Sequence, residues 1–121
     1  RLRKTMGDNA GVFRSRESLE KALSDIAELK ATPLRVRQKD YAMNRELIEA
    51  LETQNMLKTA EAVARSALAR EESRGAHFRE DFPATDDGRF LKNFFVTEGE
   101  RGLEVYSKNA GLPYLKPGVQ S

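Results

Sequence analysis

The sequence predicts a mainly α chain: three helices in a bundle-like pattern, then a small C-terminal β-hairpin and an extended tail. Three observations carry this prediction. Apolar residues recur at steps of three and four through "RESLEKALSDIAELK", a long helical stretch runs from Asn44 to Arg74, and after Asp87 the texture turns aromatic and β-branched around a glycine-bearing turn. A chain of 121 residues is long enough for one compact domain and too short for two comfortable cores. Residues 1–121 are therefore read as a single domain.

The first helix is expected over about residues 2–10, where Leu2 and Met6 stand four apart before Gly7, Asp8, Asn9 and Gly11 weaken it. Ser15 is a good N-cap for the second, over 16–31, whose Leu19, Ala22, Leu23, Ile26 and Leu29 share one face. Glu17 and Glu20 sit near its start and Lys30 near its end, as the helix macrodipole favours. Pro33 breaks it. The third helix is expected over 44–74, capped by Asn44 and stopped by Gly75 in a left-handed conformation, with Arg74 as the cation at its C-terminus. Its apolar positions include Leu47, Ile48, Leu51, Met56, Leu57 and Val63; Gln54 and Asn55 interrupt the stripe. Ala60, Ala64 and Ala67 permit close approach of another helix. The hairpin is expected over about 89–107, from "RFLKNFFV" through "TEGERG" to "LEVYS". The last stretch, 108–121, holds two prolines and two glycines and reads as an extended tail.

Composition narrows the chemistry. The 21 basic and 19 acidic residues give a net charge of +2, unevenly placed: residues 1–40 hold 10 Lys/Arg against 6 Asp/Glu, and residues 71–87 hold 2 against 6. The absence of cysteine excludes disulfides, thiol nucleophiles and thiolate metal sites, and fits a reducing compartment. No apolar run reaches the roughly 18 residues needed to span a bilayer, and no secretory signal opens the chain. Its start at Arg1, already in a helical stretch, reads as a segment cut from a larger polypeptide.

Neither phosphate-cradling glycine motif occurs. One histidine without cysteine leaves only a carboxylate metal site, and Asp81, Asp86 and Asp87 lack a loop of recognised spacing. Ser73 and His77 stand four apart without a nucleophile elbow. Arg35, Arg37 and Lys39, with Lys30 and Arg14 near, form a short basic run, but no helix carries a sustained basic face with interleaved aromatics. Nucleic acid is therefore not the expected partner. His77 lies among Glu72, Arg74, Arg79 and Asp81 and would serve either as an acid–base group or as a fastener where a helix ends. Its neighbours favour fastening: Gly75 lets the chain turn, and Arg79 with Asp81 locks the exit strand.

The string R-x-E-S-R-G-A-H-x-R-x-D-x-P, formed by Arg70, Glu72, Ser73, Arg74, Gly75, Ala76, His77, Arg79, Asp81 and Pro83, is long and specific. It resembles the C-terminal helical domain of the flavoprotein subunit of succinate dehydrogenase and fumarate reductase, shared more loosely with L-aspartate oxidase. "TQNMLKTAEAVARSALAR" resembles the family's long helix, including its Gln54–Asn55 pair, and "LRKTMGDNAGVFRSRESLEKALSDIAEL" its opening. "FLKNFFV" and "LEVYS" resemble its closing hairpin, so the likeness covers about residues 2–107. Arg79, two residues after His77, places the chain on the succinate dehydrogenase and fumarate reductase side, while Asn93 stands where the family often shows histidine.

The resemblance implies a three-helix bundle, spectrin-repeat-like, with the small hairpin and tail, that packs against the flavin domain of the same chain and helps present it to an iron–sulfur subunit. FAD and dicarboxylate would bind in domains preceding this segment, so no catalytic, cofactor-binding or metal residue is expected here. Arg70, Glu72, Arg74, Gly75, His77, Arg79 and Asp81 are expected as structural or interface residues. The implied location is cytoplasmic, peripheral on the inner face of the membrane through partner subunits, with no direct membrane insertion. The alternatives are the C-terminal domain of L-aspartate oxidase and a stand-alone helical interaction module.

Overall fold

A computed structural model describes residues 1–32 and 45–114. Pro33, the basic run Arg35, Arg37 and Lys39, and Asn44 lie outside the described residues, as does the tail from 115 onward. In chain order the elements are α1 (Leu2–Asn9), β1 (Phe13–Arg14), α2 (Arg16–Ala31), α3 (Arg45–Ala69), β2 (Phe78–Arg79), α4 (Asp87–Phe90), β3 (Lys92–Gly99) and β4 (Gly102–Asn109).

Helix α2 starts where its cap predicts. Ser15 Oγ accepts from the Ser18 amide and Ser18 Oγ accepts from the Ser15 amide, a reciprocal capping box. Its buried face is Leu19, Ala22 and Ile26, against which α3 lays Leu57, Ala60, Ala64 and Ala67. Ile26, Leu57, Ala60 and Ala64 form one apolar cluster, and Ala10, Leu19 and Ala67 a second; Met6 of α1 packs against both. Small side chains on α3 let the two helices approach closely.

The apolar stripe read from the sequence is only partly used, because Ile48, Leu51, Met56 and Val63 are 53%, 51%, 44% and 42% exposed. The helix also ends at Ala69, five residues short of the expected 74, for a reason that lies at the site described below.

Two small sheets complete the architecture. Strands β1 and β2, of two residues each, pair in parallel with Phe13 opposite Phe78 and Arg14 opposite Arg79, a contact absent from the sequence expectation. Strands β3 and β4 form the antiparallel hairpin, in register from Lys92–Asn109 to Gly99–Gly102. Glu100 and Arg101 form its two-residue turn, and Gly102, at φ +108, takes the backbone that L side chains avoid. Phe95 stacks on its cross-strand partner Tyr106, with ring centroids 5.3 Å apart. The hairpin begins at Lys92 rather than residue 89 because Asp86 accepts from the Arg89 amide at 3.0 Å and caps the short α4. Residues 110–114 carry no regular structure, and the Tyr114 ring is 94% exposed.

Candidate functional site

The site is built where α3 ends. The last carbonyls of a helix have no partner inside the helix. Here Arg79, wholly buried, supplies one: its Nη1 donates to the carbonyls of Ala67, Leu68 and Arg70 at 3.1, 3.0 and 3.2 Å. The other edge of the guanidinium grips Asp81, Nε to Oδ1 at 2.9 Å and Nη2 to Oδ2 at 2.6 Å. Asp81 Oδ2 also accepts from the amide of Arg16, in the first turn of α2, at 3.0 Å. One ion pair thus places a cation at the negative end of α3 and an anion at the positive end of α2, the arrangement both dipoles favour. Arg79, not Arg74, is the C-terminal cation of α3. The guanidinium holds the Asp81 carboxyl down at about 2, with burial opposing and the Arg16 amide assisting.

Glu72 is the second anchor and is also fully buried. Its carboxylate accepts from Arg70 Nη1, from Arg74 Nε at 2.9 Å and Nη2 at 3.2 Å, and from the Asp86 amide at 2.7 Å. Burial would raise its pKa, but these donors outweigh burial and hold it below the ordinary carboxylate range. Arg74 reaches on to Asp87, so two carboxylates raise its pKa above the usual guanidinium value. Arg70 also donates to the carbonyls of Phe90 and Lys92 and lies 4.6 Å from the centroid of the Phe94 ring. The exit of α3 is therefore bound to α4 and to the start of the hairpin.

Between these anchors the chain turns. Gly75, at φ +58, sits between Arg74 and His77, which exchange backbone hydrogen bonds of 2.8 and 2.9 Å. Its left-handed conformation serves this tight turn, not the helix terminus expected from sequence. Ser73 Oγ accepts from the Arg79 amide at 2.9 Å and donates to the Phe82 carbonyl at 2.7 Å. It is thus spent on backbone and forms no dyad with His77. The Thr85 hydroxyl donates to the Ser73 carbonyl at 2.6 Å.

His77 is half-buried. Arg14 Nη1 lies 3.1 Å from its Nδ1, and its Nε2 lies 3.2 Å from the Arg70 carbonyl. Guanidinium only donates and carbonyl only accepts, so the arrangement that satisfies both contacts is a neutral ring with its proton on Nε2. Burial lowers its pKa, the Arg70 carbonyl opposes, and the charges of Arg14, Arg79 and Arg70 lower it further.

The structure brings all seven expected residues, Arg70, Glu72, Arg74, Gly75, His77, Arg79 and Asp81, into this corner. The sequence missed Arg14 as a histidine partner, and missed the Arg16 and Asp86 amides as carboxylate donors. The arginine after "GVF" was the one visible signal for Arg14. Asp81, Asp86 and Asp87 go to three different tasks, and among the described residues no group of three His, Asp or Glu is placed to hold a metal ion. Lys30, which the sequence placed near the basic run, is paired with Glu61.

Beside the corner the surface is apolar. Val12 and Phe13 are 73% and 65% exposed, with Phe13 edge-on to Phe78 at 5.9 Å. An open groove of about 400 Å³ runs between α3 and the hairpin, lined by Val63, Ala67, Phe94 and Val96 and flanked by Arg14 and His77.

Comparison with known proteins follows the same outline. The family model described as fumarate reductase flavoprotein C-term matches residues 1–119. The succinate dehydrogenase flavoprotein subunit of Rickettsia felis is 38% identical over 107 residues, 87% of this chain and 18% of that protein. The fumarate reductase flavoprotein subunit of Helicobacter pylori (strain J99) is 41% identical over 93 residues, 75% of this chain and 13% of that protein. Among solved structures, the FrdA chain of an E. coli quinol fumarate reductase mutant superposes with a TM-score of 0.89 at 30% identity, over 96% of this chain and 21% of that one. The Mycobacterium smegmatis Sdh1 complex in its apo form gives a TM-score of 0.72 at 27% identity, over 93% of this chain and 20% of that one. The chain thus spans about a fifth or less of the length of the proteins it matches.

Proposed function

This chain belongs to the fumarate reductase flavoprotein C-terminal family, and from that premise we propose that it acts as the accessory C-terminal domain of an FAD-dependent succinate dehydrogenase or fumarate reductase. In this reading it packs on the flavin domain of the same polypeptide and supports electron transfer to an iron–sulfur subunit. FAD and the dicarboxylate belong to the flavin-bearing part, and this domain supplies no catalytic group. Its place is the cytoplasmic inner face of the membrane, held there by partner subunits. No helix among the described residues is long and apolar enough to cross a bilayer.

The observation that carries the reading is the family match over residues 1–119. The chemistry of the corner supports it. Its guanidiniums and carboxylates are spent on one another and on backbone, and among the described residues no buried side-chain nitrogen or oxygen lacks a partner. What faces outward beside it is apolar, at Val12 and Phe13. An exposed apolar pair against a rigid polar corner suits docking better than turnover.

The test is a pull-down against a separately expressed flavin domain and iron–sulfur subunit. Wild type is expected to bind. Val12→Ser/Phe13→Ser is expected to weaken binding on the order of tenfold or more, equivalent to about 1.4 kcal/mol, while Val12→Ser alone, which leaves the Phe13–Phe78 ring contact in place, should weaken binding with thermal stability unchanged. Wild type that captures neither partner returns the chain to a stand-alone helical module.

A further inference from the structure

The contact between Arg14 and His77 joins residues 63 positions apart and is the polar side-chain tie beside the parallel β1–β2 pair, next to the Phe13–Phe78 ring contact. It is chemically one-sided. Nδ1 of the imidazole faces an N–H of Arg14, and Nε2 faces the Arg70 carbonyl. A neutral ring with its proton on Nε2 satisfies both. A protonated ring carries N–H on both nitrogens, so Nδ1 would then present a donor and a positive charge to a donor that is itself positive.

The surroundings offer no compensation. The charges acting on His77 are the guanidiniums of Arg14 from β1, of Arg79 from β2 and of Arg70 beyond the end of α3. Val63 and Ala67 of α3 and Phe94 and Val96 of β3 line the groove beside it and are uncharged. Among the described residues no carboxylate pairs with either ring nitrogen. Glu72 is held by Arg70, Arg74 and the Asp86 amide, Asp81 by Arg79 and the Arg16 amide, and Glu71 by Arg16, while Glu80 is exposed.

We propose that the Arg14–His77 contact is a proton-controlled latch, closed on the neutral imidazole and opened when His77 takes a proton, which loosens β1 from β2. What remains of the pairing after opening is the backbone register, the Phe13–Phe78 ring contact and the Glu80 amide, which donates to the Arg14 carbonyl at 2.6 Å. Val12 and Phe13, just before and on β1, are exposed, so opening repositions an apolar edge of the molecule. The sign follows from the lowered pKa. The folded state resists protonation more than the unfolded chain does, so the latch stabilises above the ordinary value of about 6.5 and is lost as pH falls below it.

Because His77 is the chain's one histidine, its ring nitrogens are read without ambiguity by long-range ¹H–¹⁵N correlation of the 121-residue chain. Above neutral pH the expected pattern is a proton on Nε2 and none on Nδ1. On acidification the ring is expected to titrate below about 6.5. The hydrogen-exchange protection of the Glu80 amide should be lost with the same midpoint. In Arg14→Leu, which removes both the donor and the charge, the midpoint should rise and the Glu80 amide should no longer follow it. Arg14→Gln, which keeps an N–H donor without the charge, should raise the midpoint while retaining the Nε2–H tautomer. A neutral ring protonated on Nδ1 overturns the latch. So does a wild-type midpoint at or above the ordinary value, or a Glu80 amide that ignores the ring's titration. These three readings need only the wild-type chain and hold whether or not a variant folds.

Discussion

Leu57, Ala60 and Ala64 of α3 are buried by apolar contact with α2 and α1, whereas just past the helix end Glu72 and Arg79 are buried as deeply and carry full charges. The two regions stabilise by different routes. Apolar burial contributes about 25 cal/mol per Å², and two alanines and a leucine remove little area. Their benefit is closeness, which lets Ile26 be covered. At the corner, desolvating charge is costly, so the energy gained over an apolar isostere is small. The gain is definition. Each guanidinium and carboxylate has partners in fixed directions, so α2, α3, α4 and the hairpin meet at one geometry. A small bundle with a thin core needs such a fixed point.

Removing Arg79 should break this comparison most strongly. Arg79→Leu strips the Ala67 and Leu68 carbonyls at the end of α3 of their side-chain donor, leaves the Arg70 carbonyl to His77 Nε2, and takes the guanidinium from Asp81, which keeps the Arg16 amide. Asp81 is exposed and can be rehydrated, so the main cost is that of the carbonyls left without their donor, about 1–3 kcal/mol, against a domain stability of roughly 5–15 kcal/mol. Urea denaturation of wild type and variant measures it. A loss under about 1 kcal/mol would mean that water enters the corner and replaces the guanidinium, and the contrast between the two regions would then disappear.

The apolar region should answer to volume and not to charge. Ala64 is fully buried against α2. Ala64→Leu forces the helices apart, at an expected cost of about 1–3 kcal/mol. Its neighbour Val63 is 42% exposed, so Val63→Leu should stay within about 0.5 kcal/mol of wild type. Equal effects at the two positions would show that the α2–α3 approach is loose and that the corner alone sets the geometry.

This contrast also governs what the sequence disclosed. The Leu19, Ala22, Ile26 face and the Ser15 cap of α2 were legible because they depend on residues a turn apart. The corner's members were legible as a string, since Arg70 to Asp81 lie close together in the chain. Their connections were not. In the sequence Gly75 marks the end of α3, because a glycine in a left-handed conformation is the local stop signal. The actual stop, Ala69, is set by a guanidinium that returns from beyond the turn to take the last carbonyls. The β1–β2 pair escaped for the same reason, as two-residue strands have no periodicity to read. Ile48, Leu51 and Met56 looked like core because a helical stripe shows which residues share a face and not what covers it.

Gly75 isolates the smallest term, the backbone of the turn itself. A Cβ built there meets nothing within 4 Å, so space does not forbid a side chain; φ +58 does. Gly75→Ala should therefore cost about 1–2 kcal/mol, the left-handed penalty for an L residue, and Gly75→Asn distinctly less, because asparagine tolerates that region. Thermal melts of the two variants decide between causes. Alanine and asparagine costing the same would point to a lost contact or a solvent effect and not to φ. The expected ordering, glycine above asparagine above alanine, would show that the turn from Arg74 to His77 is kept left-handed in the folded chain. That turn holds the imidazole between the Arg14 guanidinium and the Arg70 carbonyl. The same substitutions should then shift the His77 titration in proportion to the stability they remove.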